Sequence, residues 1–172
     1  MFYLIRHGEA DYSEQGTKIY HGHGENFAPL TERGILQIKE TATNANLKNV
    51  DIIVSSPFTR ALQTAAILSK ELQIDIAVET DVHEWQADKN FAYLQRETAD
   101  KHCKEYTLYN GVYPDGEIFP WEDNTILKNR LHKVLDKYKS FANVIVVCHC
   151  ILIHAVFPDR WLENGEIIEY DY

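Results

Sequence analysis

Four consecutive β-branched residues, Val144-Ile145-Val146-Val147, have no polar side to turn towards water, so a strand built from them must be covered on both faces. Phe2-Tyr3-Leu4-Ile5 and Val50-Asp51-Ile52-Ile53-Val54 are runs of the same kind, and Ile74 to Glu79 reads as a further strand. Helical patterns alternate with them. An amphipathic stretch opens at Leu30-Thr31-Glu32-Arg33-Gly34, with Thr31 as its N-cap, and runs to about Asn46. Ser55-Ser56-Pro57 reads as a turn with Pro57 in the first turn of a helix from Phe58 to Leu72. Residues 124–140 carry Ile126, Leu127, Leu131, Val134, Leu135 and Tyr138 at helical spacing, and a short apolar helix, Ile151 to Phe157, precedes a last strand, Ile167 to Tyr170. The alternation predicts an α/β fold with a mainly parallel central sheet and helices on both faces. Residues 86–123 break the pattern; they are rich in aromatics and read as an irregular insertion, a lid over one end of the sheet. With no internal repeat or linker, residues 1–172 are expected to form a single domain.

Charge narrows the partners. The 17 Lys and Arg stand against 26 Asp and Glu, a formal net charge of −9, which argues against nucleic acid or an anionic membrane as a partner. An anionic ligand must therefore find a local positive pocket. The three cysteines, Cys103, Cys148 and Cys150, are an odd number without C-x-x-C spacing, which fits a reducing, cytoplasmic setting better than a disulfide framework or a zinc ribbon. No apolar run is long enough to span a membrane, and Phe2 to Ile5 is too short for a signal-peptide core.

Charged residues fall just beyond the predicted strands: Arg6 and His7 after the first, Arg60 after the second, His149 after the late one. In open α/β sheets, ligands bind beyond the carboxyl ends of the strands, so these separate segments can converge on one point. Two guanidiniums and two imidazoles in one pocket call for an anion. A phosphoryl group suits them, because the arginine fork matches its oxygens and the first turn of a helix, where Arg60 sits, favours negative charge.

At these residues the sequence resembles the histidine phosphatase superfamily, which includes the cofactor-dependent phosphoglycerate mutases, and the resemblance covers nearly the whole chain. Arg6-His7-Gly8-Glu9 matches the family's nucleophile motif. Leu30 to Gly34 with Gln37 matches its first helix, and Ser55-Ser56-Pro57 with Arg60-Ala61 and Gln63-Thr64-Ala65 its second arginine segment. Gly116, Trp121-Glu122-Asp123 and Arg130 match more loosely a glutamate and an arginine before the last motif. The resemblance implies a phosphoglycerate mutase-like fold and a metal-independent phosphatase of the smaller branch that requires no cofactor. It makes His7 the nucleophile that becomes a phosphohistidine, with Arg6, Gly8, Arg60 and His149 around the transferred group and Glu84, in Val82-His83-Glu84, as proton donor. The implied partners are inorganic phosphate and a small phosphorylated metabolite. A mutase-type phosphotransferase, or a weakly active phosphate-binding protein of the same fold, are the alternatives.

The chain departs from the family pattern at three places. Cys148 and Cys150 flank His149 where small residues are common, and a Cβ at position 150 is expected to restrict backbone approach to phosphate. Ser13 stands where an asparagine often contacts phosphate, and it retains one hydroxyl donor. Asp88 replaces a glycine four residues after the acid, which leaves Asp88 and Glu9 as alternative donors. Cys148 and Cys150 read as buried free thiols, and His21-Gly22-His23-Gly24 as a glycine-rich rim loop, rather than as metal ligands. The aromatic insertion suggests a pocket wall, and its few cations, Lys89, Arg96, Lys101 and Lys104, suggest a singly phosphorylated substrate.

Overall fold

A computed structural model describes residues 1–14 and 24–172. Its strands are β1 (Phe2–Arg6), β2 (Ile52–Ser55), β3 (Ile76–Val78), β4 (Val144–Cys148) and β5 (Ile167–Tyr170). Its helices are α1 (Gly24–Phe27), α2 (Glu32–Thr41), α3 (Thr59–Leu72), α4 (Arg96–Leu108), α5 (Asn124–Lys137) and α6 (Cys150–Val156). The sheet order is β3-β2-β4-β1-β5, with every neighbouring pair parallel except β1 and β5.

Strand alternation divides the core in two. Tyr3, Ile5, Ile53, Ile145 and Val147 point to one face, where Ile38 of α2 and Ala61, Ala65 and Leu68 of α3 cover them. Phe2, Leu4, Val54, Val144, Val146 and Cys148 point to the other, against Tyr106 of α4, Leu127, Leu131, Val134 and Leu135 of α5, and Leu152 and Ile153 of α6. β4 is buried along its whole length, as the apolar run requires. The architecture is α/β, mostly parallel and covered on both faces.

Local chemistry sets the boundaries. Thr31 caps α2, its hydroxyl accepting the Gly34 N–H at 2.9 Å, and Asp123 caps α5 by accepting the Ile126 N–H at 2.8 Å. Several boundaries shift by a few residues, and three differences from expectation have a physical reason. α2 stops at Thr41, and a separate 3₁₀ turn, Ala45–Leu47, follows with Asn44 as its cap. Pro57 lies outside α3, because Ser56 Oγ accepts the Phe58 N–H at 3.3 Å and forms a turn before the helix starts. The insertion is not wholly irregular, since α4 occupies thirteen of its residues. That helix buries only His102 and Tyr106, too narrow an apolar stripe to show as a helical period in the sequence.

Among the described residues, no helix is long and apolar enough to cross a membrane.

Candidate active site

Strand register brings the charged residues together. Arg6 is level with Cys148 across β1 and β4, and Ser55 with Val147 across β2 and β4, so all three strands end at one edge. The ladder then runs one residue further: the His7 N–H donates to the Cys148 carbonyl at 3.1 Å, and the Ser56 N–H to the Val147 carbonyl at 3.0 Å. His7, Ser56 and His149 thus leave the sheet side by side.

His7 is buried, and its Nδ1 lies 2.7 Å from the Gly8 carbonyl oxygen. A carbonyl only accepts, so Nδ1 carries the proton and Nε2 keeps its lone pair. That lone pair accepts from Arg60 Nε at 3.1 Å. Burial, assisted by the Arg60 charge, lowers the His7 pKa to about 3, so the ring is neutral near pH 7.

His149 packs edge-on to His7, ring centroids 5.1 Å apart, with its Nε2 2.7 Å from Ser56 Oγ. Burial holds its pKa well below the usual histidine value, with Arg60 and His7 contributing in the same direction. Arg60 is itself buried on the first turn of α3, where NH1 donates to the Glu25 carbonyl at 2.7 Å and the guanidinium lies 5.1 Å from the Phe58 ring. Arg6 NH1 donates to the Leu162 carbonyl at 2.5 Å. Two buried polar atoms, Arg6 Nε and His149 Nδ1, have no partner among the described residues. Such groups are rarely left unpaired, and here both belong to residues of the strand-end cluster.

Gly8 acts on His7 through its carbonyl, while its N–H is engaged by Thr64 Oγ1 at 3.1 Å. A Cβ on Gly8 would meet the Gly34 carbonyl at 2.7 Å, so glycine allows α2 to dock against the loop that carries His7.

The three candidate acids separate cleanly. Glu9 accepts from Thr31 Oγ1 at 2.9 Å and pairs with Arg33 at 3.3 Å, which commits it to the start of α2. Asp88 accepts the Asn90 and Ala92 N–H groups at 2.8 and 3.4 Å and shapes its own loop. Glu84 alone lies against the cluster: its Oε1 accepts the Trp85 N–H at 2.9 Å, and it feels the charges of Arg60 and Arg130 and the Ile151 amide of α6. Burial raises its pKa despite these opposing influences. Ser13 lies in an exposed turn, with its N–H on Asp11 Oδ1 at 2.9 Å.

Cys148 faces the core and Cys150 Sγ lies 3.7 Å from the Leu162 carbonyl; burial pushes both thiols up, which keeps them protonated. His21 and His23 lie outside the described residues.

Sequence reasoning missed several residues that support the site. Ser56 orients His149, and Asn164 Nδ2 donates to the His7 carbonyl at 2.9 Å. Arg130 and Glu122, noted only as a loose motif match, form a nearly buried bidentate pair at 3.1 Å. Arg130 NH1 also donates to the Asp81 and His83 carbonyls, each at 2.7 Å, and Glu122 Oε2 accepts the Gln86 N–H at 2.8 Å. The segment carrying Glu84 is thereby held on both sides.

Fold and site define an α/β protein in which two histidines and two arginines gather beyond the carboxyl ends of parallel strands, the place where open α/β sheets bind ligands. The sequence pattern of the histidine phosphatase superfamily (branch 1) matches residues 2–163, and the chain belongs to that superfamily, among the phosphatases of the histidine type. It is 30% identical over 156 residues to the uncharacterized phosphatase PhoE of Bacillus subtilis (strain 168), covering 91% of this chain and 75% of that one. It is 26% identical over 155 residues to the adenosylcobalamin/alpha-ribazole phosphatase of Escherichia coli (strain K12), covering 86% and 72% of the two chains. The native structure of a mycobacterial glucosyl-3-phosphoglycerate phosphatase shares the fold, with a TM-score of 0.69 at 19% identity over 96% of this chain and 87% of that one.

Proposed function

We propose that the protein is a metal-independent phosphomonoesterase that acts through a phosphohistidine at His7 on small phosphorylated metabolites. The observation that carries this reading is the state of His7. Its ring is neutral, its Nδ1 proton is tied to the Gly8 carbonyl, and its Nε2 lone pair faces Arg60, in a cluster where Arg6 Nε and His149 Nδ1 are buried without a partner among the described residues.

In the first step His7 Nε2 bonds to phosphorus as the bond to the ester oxygen breaks, and Glu84 gives its proton to the leaving alkoxide. Arg6 and Arg60 offset the charge on the phosphoryl oxygens, and His149 Nδ1, where protonated, adds a donor. In the second step water attacks phosphorus, Glu84 carboxylate takes its proton, and phosphate leaves with His7 restored. Hydrolysis in preference to intramolecular transfer is supported by the phosphatases among the sequence relatives. Substrates with one phosphate are supported by the insertion's cations: Lys89 donates to the Phe119 carbonyl at 3.0 Å and Lys101 pairs with Glu105 at 3.6 Å.

Hydrolysis of p-nitrophenyl phosphate in excess chelator, by wild type and by His7→Ala, tests the proposal. Wild type is expected to turn over and His7→Ala to show no turnover above background. Activity that survives the substitution, or that chelator alone abolishes, overturns it. Efficient interconversion of 2- and 3-phosphoglycerate with negligible phosphate release would reassign the chain to the mutase reaction.

A further inference from the structure

A line of rings leads outward from the phosphate cluster. Phe58 packs edge-on to His149 with centroids 5.3 Å apart, while also lying against Arg60. His83 follows Phe58 at 6.2 Å, and Phe91 packs edge-on to His83 at 5.3 Å. His149 and His83 are buried, at 0% and 4% exposure, whereas Phe91 at the outer end leaves 65% of its surface open.

The line is built with some care. Phe91 has φ +59°, a left-handed conformation that bulky residues seldom adopt. The Asp88 loop holds it there, the Phe91 N–H donating to the Asp88 carbonyl at 2.9 Å while the Asp88 carboxylate takes the Asn90 N–H. The Lys89 N–H ties the same loop to the Pro120 carbonyl at 2.8 Å. His83 is fixed by its Nδ1, 2.7 Å from the carbonyl oxygen of Glu84, the residue that would protonate the leaving alcohol. Burial lowers the His83 pKa, so its ring is an uncharged partner for another ring. Backbone strain that keeps an exposed aromatic ring against His83, the chain neighbour of Glu84, points to a contact with ligand.

We propose that Phe58, His83 and Phe91 form a subsite for a planar aromatic group on the leaving alcohol, so that the preferred substrates are monoesters of alcohols bearing one aromatic ring close to the ester oxygen. This rests on the phosphatase reading and names the substrate class of the same site. Aromatic rings set edge-on or offset gain more than their buried area alone supplies, which is the basis for discrimination between a flat ring and an aliphatic group of equal bulk.

The test compares benzyl phosphate with cyclohexylmethyl phosphate and ethyl phosphate, three alcohols of similar leaving ability. Wild type is expected to favour the benzyl ester by about tenfold in kcat/KM, mainly through KM. Phe91→Ala should bring the benzyl-to-cyclohexylmethyl ratio close to one, and Phe91→Tyr, which keeps a ring, should restore it. Calorimetry with benzylphosphonate and cyclohexylmethylphosphonate measures the same preference without turnover. No benzyl preference in either measurement, or one unchanged in Phe91→Ala, overturns the subsite. A phosphonate preference that Phe91→Ala removes, in a protein that hydrolyses none of the esters, upholds the subsite and overturns the phosphatase reading instead.

Discussion

His7 and Glu84 occupy one neighbourhood, yet burial drives their chemistry in opposite senses. Loss of solvent disfavours charge in both: the imidazole gives up its proton and offers the lone pair that the proposed reaction uses as nucleophile, while the carboxyl keeps the proton that the same proposal gives to the leaving alcohol. With the His7 pKa near 3, the nucleophile stays available throughout the mildly acidic range, so kcat/KM is expected to fall as pH rises and Glu84 ionises. Glu84→Gln keeps the acceptor for the Trp85 N–H but has no proton to give. Its turnover of an alkyl phosphate is expected to fall by about 10²–10⁴-fold and to lose this alkaline limb. The same substitution should raise stability at pH 7. Glu84 holds its proton to higher pH in the fold than in the unfolded chain, so the folded state binds more protons in that window and wild type loses stability as pH rises. Urea unfolding should show the gain at pH 7 vanishing below about pH 4, where both states are protonated.

At the scale of elements, the segment from Asp81 to Gln86 has little regular structure, and the buried Glu122–Arg130 pair supplies the order that a helix or strand would otherwise give. Arg130 reaches it from α5, a rigid element that also anchors the core through Leu127, Leu131, Val134 and Leu135. Removing one partner leaves a buried charge, so Glu122→Gln is expected to destabilise the protein by about 3–5 kcal/mol. Replacing both, as Glu122→Leu with Arg130→Met, should recover much of that loss without restoring the donors to the Asp81 and His83 carbonyls. In that double variant, an alkyl phosphate, which needs the acid, should lose more kcat than p-nitrophenyl phosphate, which scarcely does. Equal losses on both substrates would show that the pair serves stability alone. Arg6, at the end of β1, and Arg60, on the first turn of the helix after β2, were legible in the sequence because each follows an apolar run. The role of this clamp was not, since its members lie on three segments brought together only by packing.

For the molecule as a whole, burying His7, His83 and His149 as neutral rings links folding to pH. Each titrates near 6.5 in the unfolded chain and lower in the fold. Below about pH 6.5 the unfolded state therefore binds more protons, and the stability present above that pH is lost as pH falls, towards about 3 for His7. Each ring still neutral contributes a slope of about 1.4 kcal/mol per pH unit within its window, while Glu84 works in the opposite direction. Urea midpoints should drop clearly between pH 7.5 and pH 5. Excess phosphate should raise the midpoint at both values if it binds the folded state. A flat profile would mean that the histidines ionise inside the fold.

The sequence by itself determined the covered sheet and the places where charge leaves it, since Val144 to Val147 can only be buried and Arg6, His7, Arg60 and His149 follow at strand ends. It also carried α3 and α5, whose apolar residues recur at helical spacing, whereas α4 stayed hidden because only His102 and Tyr106 are buried. Tertiary structure decided which acid meets the cluster. The resemblance named Glu84 and left Glu9 and Asp88 as alternatives; in the fold Glu9 is taken by Thr31 and Arg33 and Asp88 by its own loop. It also decided that Ser56 and Asn164 brace the two histidines and that Phe91 stands at the end of a ring line. The physical reason is range: periodicity and capping act over a few residues and leave a mark in the local sequence. Burial, and the pKa and partner of each buried group, depend on segments far apart in the chain that meet only when the sheet closes.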